Sequence, residues 1–473
     1  VQKDKTHFFA TWERTRQRAS DTQLSTVPTL ANRTGDFSDL RSTAGVPVII
    51  YDPASTVGTT RQAFSGNIIP LTRLDPVALK AVTYYPRPNR AGTIANANNF
   101  GGNTKTRLNR DIVVGRLDHQ LSPNDLLTAR YYINDAATND DGTYGVPLSD
   151  PLSNITDVRV QSVLASYTHI FGPSVINDLR GTYLRRKFLN TRPGYLENPA
   201  SLIGLNGVSD AAFPAFTAPG YASLGNAAGS FRLQTPILDR QIVDALSYNR
   251  GRHAFKFGGE VRFARNEEVR DRGSAGNFTL SPLITGLPGK SGTGNSIASL
   301  MLGEINAASI QISDKIRTVA TYVGLYAQDD WRARANVSVN YGLRYEINGQ
   351  MRDRDNRLAS IDLSVPGGRF VVASDERGRL SPTATSLLAE MPIPYVTSRD
   401  AGWTPALLRP SYRRFAPRLG LAWSLGERAS TVVNAGFGVF LNQWAYSVQQ
   451  SLAQTLPFFF SKTVNAPGDA LRP

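Results

Sequence analysis

The stretch YVGLYAQDDWRARANVSVNYGLRYE, residues 322–346, restricts the fold more than any other part of the chain. Apolar side chains occupy every second position of its latter half and of the residue that follows: Val337, Val339, Tyr341, Leu343, Tyr345 and Ile347. The positions between them carry Ser, Asn, Gly, Arg or Glu. A period of two is typical of a β-strand with one apolar and one polar face. The stretch predicts a hairpin of two long strands, whose apolar face needs either a protein core or lipid.

The same alternation predicts about eleven strands along the chain. The first strand of the hairpin above is expected to begin as early as residue 305. The other strands are predicted at 7–17, 111–120, 126–135, 157–170, 174–188, 237–249, 253–266, 415–425 and 429–441. Several contain 10 or more residues, whereas strands of globular proteins average about 5–6. A strand that crosses a bilayer at a tilt needs about 9–11.

The connections between these strands differ in a regular way. Within each pair the connection is a short turn, such as LSPND, FGPS, NRGRH or GERAS. Between pairs it is long, at 136–156, 189–236, 267–304 and 349–411, and residues 18–110 form a further long irregular segment rich in Pro, Gly, Asn and Thr. Alternation of short turns and long loops is typical of outer-membrane barrels, which have short periplasmic turns and large extracellular loops.

The predicted fold class is therefore all-β, an antiparallel transmembrane β-barrel with long extracellular loops. Lipid hydrocarbon requires every backbone polar group to be paired, which a closed ladder of strands achieves. Trp12, Trp331, Tyr345 and Trp423 suit the aromatic girdles at the two membrane interfaces. The alternative is a soluble β-protein in which these are core aromatics, because alternation alone does not distinguish lipid from core.

Composition removes several classes of function. The chain has no Cys, so it has no disulfide, thiolate metal site or Cys nucleophile. No run of about 18 apolar residues predicts a membrane-spanning helix, and Val1 indicates that the sequence begins within a longer protein. The net charge of +14 suits nucleic acid, an acidic membrane surface or an anionic ligand. The basic residues are dispersed and form no nucleic-acid module, so no nucleic-acid partner is expected.

Several motifs together resemble TonB-dependent outer-membrane receptors. LYAQDDWRARANVSVNYGLRYE is similar to the barrel signature of that family, and APRLGLAWSLGERASTVVNAGFGVF resembles the hairpin that follows it. The segments KDKTHFFATWERTR, VPTLANRTGDFSDL, PVIIYDPAST, RQAFSGNIIPLTRLDPVALKAVTYYPRPN and RGRHAFKFGGEVR follow in the order seen in the Oar-like branch. That branch is abundant in acidobacteria and usually has a carboxypeptidase-regulatory-like domain before the plug. The resemblance extends to about residue 441.

The resemblance implies active import without chemistry on the substrate. Such receptors bind a scarce ligand outside the cell and admit it when the TonB–ExbB–ExbD complex, driven by the proton gradient, displaces a plug. The implied partners are that complex, a lipid bilayer with lipopolysaccharide, and a small-molecule or oligosaccharide ligand, such as a siderophore or a cobalamin-like chelate. No cofactor is implied. No motif assigns catalytic, cofactor-binding, metal-binding or ligand-binding residues.

The resemblance also predicts that residues 1–473 are a partial barrel domain. The family's regulatory-like domain, TonB-contacting segment and plug are not in this sequence, and neither is a C-terminal strand ending in an aromatic residue. The resembled receptors have 22 strands, so this chain corresponds to roughly the first half of a barrel. A barrel set for that number cannot close with eleven. We therefore expect an open sheet whose first and last strands do not pair with each other.

Four local motifs have weaker interpretations. GKS at 289–291 lacks the earlier Gly of a phosphate-binding loop and is expected to be a flexible loop. Asp329 and Asp330 are adjacent on a strand, so their side chains should point to opposite faces. NDAATNDDG at 134–142 matches no calcium-binding loop and is predicted to be a solvated loop. The four histidines lie singly in separate strands, so each is expected to be a rim or turn residue: His7, His119, His169 and His253.

Two rival functions remain open. One is an adhesion or export-platform barrel of the outer membrane that lacks active import. An upstream plug and TonB-contacting segment in the full gene would favour import over it. The other is a secreted β-rich carbohydrate-binding protein or glycosidase, which a requirement for detergent would exclude.

Overall fold

A computed structural model describes residues 5–225, 232–313, 315–391, 393–409, 413–425, 431–442, 452 and 454–466. Within them, eleven long strands form one antiparallel sheet in which neighbours in sequence are neighbours in space. The strands are β1 Thr6–Ser25, β2 Phe100–Ser122, β3 Asp125–Asp140, β4 Asn154–Gly172, β5 Val175–Thr191, β6 Ile237–Arg250, β7 His253–Asp271, β8 Ile316–Arg334, β9 Val337–Asn348, β10 Phe415–Leu425 and β11 Thr431–Gly438. Two short strands, Arg232–Gln234 and Arg352–Asp353, extend the sheet to 13 strands.

The first and last strands of this sheet do not pair with each other in the described part of the chain. β1 pairs with β2, and β11 pairs with β10. The expectation of an open sheet is thus confirmed. Within the described residues each edge strand is paired on one side only. Lipid does not tolerate unpaired backbone groups at a sheet edge, and in water such groups are open to pairing with other strands.

The short and long connections lie at opposite ends of the sheet, as predicted. The turn end carries the two-residue connections 123–124, 173–174, 251–252 and 335–336. The loop end carries 26–99, 141–153, 192–236, 272–315 and 349–414. The turn predicted at GERAS, 426–430, lies outside the described residues, as do the first two residues of the strand predicted at 429–441.

Several predicted boundaries were wrong. Residues 18–25 and 100–110 were assigned to an irregular segment but belong to β1 and β2, which pair in unbroken register from Thr6 with His119 to Ser25 with Phe100. Polar residues occupy both faces there, so the alternation that signals a strand is absent. Residues from 305 were expected to join β8. Instead Ala307–Ser313 forms a separate strand that pairs with Phe459–Asn465.

The register assigns each side chain to one of two faces. The apolar face of β9 carries Val339, Tyr341 and Leu343, and the row through Leu343 continues to Phe257, Ala327 and Pro417 on neighbouring strands. The polar face carries Asn340, Gly342 and Arg344. Large apolar side chains on the first face are about half exposed: Ile242, Phe263, Leu325, Leu343 and Leu419. Contiguous exposed apolar surface of this extent marks a protein or membrane contact.

The largest buried core lies in the long connections at the loop end. Residues 26–99, 192–225 and 272–306 pack together as a unit, here named the first loop module. Its fully buried side chains include Val27, Phe37, Ile50, Ile203, Leu224, Leu280, Ile297 and Met301. The segment predicted to be irregular therefore contains a compact hydrophobic core. The second loop module, residues 349–409, has smaller cores around Leu358 and Val372.

Short helices and sheets complete the two modules. The helices are α1 Pro76–Ala81, α2 Pro199–Ile203, α3 Ser296–Met301 and α4 Pro382–Glu390. Asp75 caps α1 by accepting from the Ala78 N–H at 2.7 Å, and Pro76 suits the first helical position because it lacks an N–H. The 3-10 helices are Asn32–Thr34, Pro53–Ser55, Ser65–Asn67, Leu71–Arg73, Val82–Tyr84 and Pro282–Thr285. No helix in the described ranges is long and apolar enough to span a membrane.

Two small sheets are built partly or wholly from residues of the modules. One consists of Ala215–Thr217, Asn277–Thr279, Ala307–Ser313 and Phe459–Asn465. The other consists of Ala359–Asp362, Arg369–Val372 and Tyr395–Thr397. The long connections are therefore folded structures at one end of the main sheet.

Candidate functional site: the polar face and the loop end

A network of hydrogen bonds and ion pairs centred on Arg344 lies on the polar face. Its Nε donates to Glu346 at 2.7 Å, and its Nη2 donates to the Tyr322 hydroxyl at 2.6 Å. The same Nη2 lies 3.4 Å from Glu260, which also accepts from the Gln241 amide at 2.7 Å. The network joins four strands, β6 to β9. It holds charged side chains on the polar face and supplies them with hydrogen-bond partners there.

Glycine makes room for this network. A Cβ on Gly324 would lie 2.7 Å from Arg344 Nη2, closer than real contacts allow. Gly258 plays the same part for Tyr326, whose ring would lie 2.5 Å from an added Cβ. Arg344 in turn lies 5.8 Å from the centre of the Tyr326 ring, within the range of a cation–π contact. In the Gly-Leu-Arg-Tyr-Glu sequence, the network residues Arg344 and Glu346 alternate with the apolar-face residues Leu343 and Tyr345.

A basic cavity of about 230 Å³ adjoins the network. Lys256, Gln328, Gly342 and Arg418 lie in one row across β7 to β10 and line it together with Arg344. Gly342 leaves the row open, because a Cβ there would lie 2.8 Å from that of Gln328. Within the described residues no carboxylate lies within 4.0 Å of Lys256 or Arg418. The cavity suits an anionic group.

A second cavity of about 270 Å³ lies nearer the loop end on the same face. Arg186, Asp239, Asn266, Glu268 and Thr318 contribute to its lining. Asp239 Oδ1 and Asn266 Oδ1 are buried and accept no hydrogen bond in the described structure. Such oxygens are expensive to bury unless a donor reaches them. This mixed cavity suits a ligand with both donors and acceptors, such as a polyhydroxylated one.

The loop modules are held together by buried polar contacts. In the first module the Tyr85 hydroxyl donates to the Ala222 carbonyl at 2.8 Å and joins residues 26–99 to 192–225. Burial raises the pKa of Tyr85 well above its usual range, so it remains a neutral donor. Arg33 donates to the Tyr85 carbonyl at 2.9 Å, and burial lowers the pKa of its guanidinium.

Asp353 anchors the second module to β8. Its carboxylate is 0% exposed and accepts from the Arg317 N–H at 2.8 Å and the Arg357 N–H at 2.9 Å. Arg357 Nε lies 3.2 Å from the same carboxylate, and the Arg357 side chain is 8% exposed. Asp355 pairs with the Arg317 guanidinium at 2.8 Å. The stretch RDRDNR, 352–357, thus fixes one end of the module to the sheet.

Polar clusters also lie on the apolar face beside the tight turns. His253 Nδ1 lies 2.6 Å from Asp329, which also accepts from the Tyr341 hydroxyl at 2.8 Å. His169 Nδ1 lies 2.5 Å from Asp125. His119 contacts Thr6 in the same way, at 2.8 Å, and the prediction that the histidines are rim residues is confirmed for the three.

The aromatic residues predicted to form girdles all lie on the apolar face. Trp331 stacks on His253 with the ring centres 5.6 Å apart, beside the 335–336 turn. Trp423 lies opposite Val433 at the same end. Tyr345 lies towards the loop end of β9, 4.8 Å from the Phe415 ring. Trp12 lies opposite Val113, further from the turns.

The structure decides the remaining motif predictions. Asp329 bonds with His253 on the apolar face, whereas Asp330 accepts from Asn340 on the polar face, so their divergence is confirmed. Gly289 of GKS lies in a loop with a φ of 74°, as expected. The prediction of a loop at 134–142 was wrong, because 134–140 belong to β3 and pair with β4. Among the residues that the structure describes, no group of three or more His, Asp or Glu side chains is placed to bind a metal ion.

Sequence reasoning named no ligand-binding residues, and the two cavities show why. Lys256 and Arg418 are 162 positions apart in sequence (418 − 256) and meet only through the register of four strands. Asp239 and Asn266 likewise meet through the pairing of β6 and β7. Alternation indicates the face on which Lys256 and Arg418 lie. The row in which each lies depends on turn lengths and bulges.

Comparison with known proteins gives one family and several solved structures. A family model described as "Outer membrane beta barrel domain" matches residues 1–473. No curated protein matches the chain. Among solved structures, the outer membrane transporter YddB from Escherichia coli is 10% identical, with a TM-score of 0.35 over 72% of this chain and 41% of its own.

Two ferric receptors show similar values. BauA, the ferric preacinetobactin receptor from Acinetobacter baumannii, is 11% identical, with a TM-score of 0.30 over 69% of this chain and 47% of its own. The ferric-catecholate import receptor Fiu from E. coli K12 is 13% identical, with a TM-score of 0.29 over 68% and 48%. The chain spans less than half the length of each of these three proteins.

Proposed function

The chain belongs to the outer membrane beta-barrel domain family, and from this premise we propose that it forms part of the wall of a TonB-dependent receptor that imports a scarce ligand. The protein resides in the cell outer membrane. The apolar face contacts lipid, and the polar face lines the lumen. We further propose the Oar-like, acidobacterial type for it, on the strength of the ordered motifs, with residues 1–473 as a partial barrel domain.

The observation that carries the import proposal is the polar face of the sheet. It holds charged and amide side chains in two cavities, of about 230 and 270 Å³. A wall that served only as an anchor would have no need of basic groups lining an open cavity. The cations Lys256, Arg344 and Arg418 suit an anionic chelate, whereas Asp239 and Asn266 suit sugar hydroxyls. Both ligand classes belong to the proposal, together with the TonB–ExbB–ExbD complex as the energy source.

Uptake by whole cells tests this proposal. Cells that express the full-length protein receive a ferric siderophore, a cobalamin or an oligosaccharide, each labelled. We expect one of them to accumulate, and we expect a proton uncoupler or loss of TonB to abolish accumulation while surface binding persists. Accumulation that persists in the presence of the uncoupler would support the adhesion or export alternative. So would a loss of cell attachment, on removal of the protein, that leaves uptake unchanged.

Removing two lumen cations should weaken binding of an anionic ligand. The Lys256→Gln/Arg418→Gln variant loses two charge-assisted contacts, each worth about 1.5–3 kcal/mol. We expect its apparent affinity to fall by about a hundredfold or more. Arg116→Gln/Arg130→Gln removes the same charge from the polar face outside the cavity and should retain the affinity. If the two double variants bound the anionic ligand with equal affinity, the basic cavity would not be its binding site.

Sidedness is tested with trypsin. Arg377 in the second loop module and Arg252 at the turn end are both exposed. Of these two sites, trypsin should cut only Arg377 in intact cells, because Arg252 faces the periplasm. In permeabilised cells both should be cut, as mass spectrometry of the peptides would show. Cleavage at Arg252 in intact cells would show that the turn end faces the outside, which is the opposite of the proposed orientation.

A further inference from the structure

Four arginines are gathered around two neighbouring connections of the turn end, 251–252 between β6 and β7 and 335–336 between β8 and β9. We name these side chains the turn-end arginine cluster: Arg250, Arg252, Arg332 and Arg334. They are all exposed. The other two short connections that the structure describes, 123–124 and 173–174, carry no Lys or Arg. At about 4.8 Å between strands, the two basic turns are roughly 10 Å apart.

The two basic turns are fixed to each other by hydrogen bonds. The Arg332 N–H donates to the Arg252 carbonyl at 2.8 Å, and Arg252 Nη1 donates to the Ala333 carbonyl at 3.1 Å. Pairing of β7 with β8 continues up to Trp331 and His253, directly beside the turns. The cluster therefore lies on a fixed backbone, and a partner that binds it does not have to order the two turns.

The protein leaves this charge unneutralised in the part of the chain that the structure describes. No carboxylate of those residues lies within 4.0 Å of any of the four guanidinium groups. The two acidic residues that precede Trp331 on β8 have other partners, because Asp329 bonds with His253 and Asp330 accepts from Asn340. The four positive charges are thus open to an external anion.

The position of the cluster argues against a phospholipid as its partner. Arg250 lies opposite His253 on the apolar face, whereas Arg332 follows Trp331 on β8 and points to the polar face. The cluster therefore extends across the rim of the sheet, from the lipid side to the lumen side. A headgroup beside the outer wall would contact the cations of the lipid side alone.

The surroundings of the cluster argue against a folded protein as its partner. The other residues of the two turns are small or polar: Asn249, Gly251, Ala333, Ala335 and Asn336. Protein interfaces depend on a central group of apolar and aromatic side chains, which these turns do not supply. A hydrophilic polymer with repeated anionic groups matches the cluster better, because charge alone can hold it.

We infer that the turn-end arginine cluster binds the carboxylates of the cell-wall peptidoglycan. The inference rests on the orientation proposed above, in which the turn end faces the periplasm, the compartment that holds this polymer. The stem peptides of peptidoglycan carry several carboxylates, and the planar fork of a guanidinium pairs with a carboxylate through two parallel hydrogen bonds. Contacts at two turns roughly 10 Å apart allow one polymer to engage both, which raises its apparent affinity.

Co-sedimentation with purified sacculi tests this inference. Full-length protein in detergent is mixed with sacculi of a Gram-negative bacterium, and binding is measured for wild type and for a turn variant with Arg250→Gln, Arg252→Gln, Arg332→Gln and Arg334→Gln. An exposed ion pair contributes roughly twofold to fivefold in affinity, so we expect the apparent affinity of the turn variant to fall about tenfold or more. Higher salt should weaken wild-type binding, because such contacts are screened.

A loop variant is the matched control for net charge. It changes four exposed arginines of the two loop modules to Gln and should bind sacculi like wild type: Arg87, Arg90, Arg377 and Arg399. Circular dichroism confirms that both variants are folded. Wild-type affinity in the turn variant would overturn the inference, as would an equal loss in the loop variant.

The chemistry of the partner is tested with modified sacculi and with competitors. Undiminished binding to sacculi whose carboxylates have been converted to amides would overturn the inference. Displacement by inorganic phosphate at the concentration of the sacculus carboxylates would show a general anion site. If the turn variant lost binding to phosphatidylglycerol vesicles but kept binding to sacculi, the cluster would be a lipid site. Ligand uptake and protease sidedness are measured separately, so failure of this inference and failure of the import proposal are distinguishable.

Discussion

Leu343→Arg is expected to lower the free energy of unfolding by about 2–4 kcal/mol when the full-length protein is folded into lipid vesicles. Leu343 lies on the apolar face between Ala327 and Pro417 and is 47% exposed. Its environment in the membrane is hydrocarbon, where an arginine near the midplane has no water or carboxylate to contact. Urea titration followed by tryptophan fluorescence measures the change.

Asn340→Arg is the matched control on the same strand. Asn340 is on the polar face, exposed, and donates to Asp330. An arginine there remains in the lumen and can pair with the same carboxylate, so we expect its free energy of unfolding to stay close to that of wild type. Equal destabilisation by both substitutions would mean that both faces are buried alike, which would contradict the assignment of one face to lipid.

Asp353→Ala is expected to produce a similarly large effect, a local loss of about 3–5 kcal/mol in the stability of the second loop module. The substitution removes the buried carboxylate that pairs with Arg357 and accepts from three backbone N–H groups, those of Arg317, Asp355 and Arg357. The backbone donors would then lose their acceptor, and the buried Arg357 would lose one carboxylate partner while keeping Asp355 at 3.0 Å. Amide hydrogen exchange across residues 349–409 measures the change, because exchange there reports local opening.

Asp375→Ala removes the same kind of pair from the surface of the same module. Asp375 pairs with Arg379 four residues later, as Asp353 does with Arg357, but the Arg379 side chain is 70% exposed. Water and salt screen such a pair, so exchange should be unchanged. If the two substitutions accelerated exchange equally, burial would not be the source of the stability at Asp353.

The sheet could be predicted from the sequence because its faces have different surroundings. Val339, Tyr341 and Leu343 alternate with Asn340 and Gly342, and this alternation revealed the strand. The short turns could also be predicted, because Pro, Gly and Asn occur where the chain reverses direction. The prediction failed in the outer parts of β1 and β2, where both faces carry polar residues and no period remains.

The loop modules and cavities were not predictable in the same way. The core of the first module joins Phe37, Tyr85, Leu224 and Ile297, which come from three connections far apart in sequence. No local pattern shows that these connections pack together. The Asx-rich stretch 134–140 was misassigned because Asn and Asp usually favour turns. In this chain the residues continue β3, since the ladder with β4 pairs their backbone groups.

The central claim is that alternate residues of the long strands face lipid and the lumen. The chain has no Cys, so a single Cys can be placed in turn at positions 338 to 347 of the full-length protein and spin-labelled in vesicles. We expect accessibility to oxygen to peak at 339, 341, 343 and 345, and accessibility to a water-soluble nickel chelate to peak at 338, 340, 342, 344 and 346. A profile without this period of two, or with the two probes exchanged, would contradict the account.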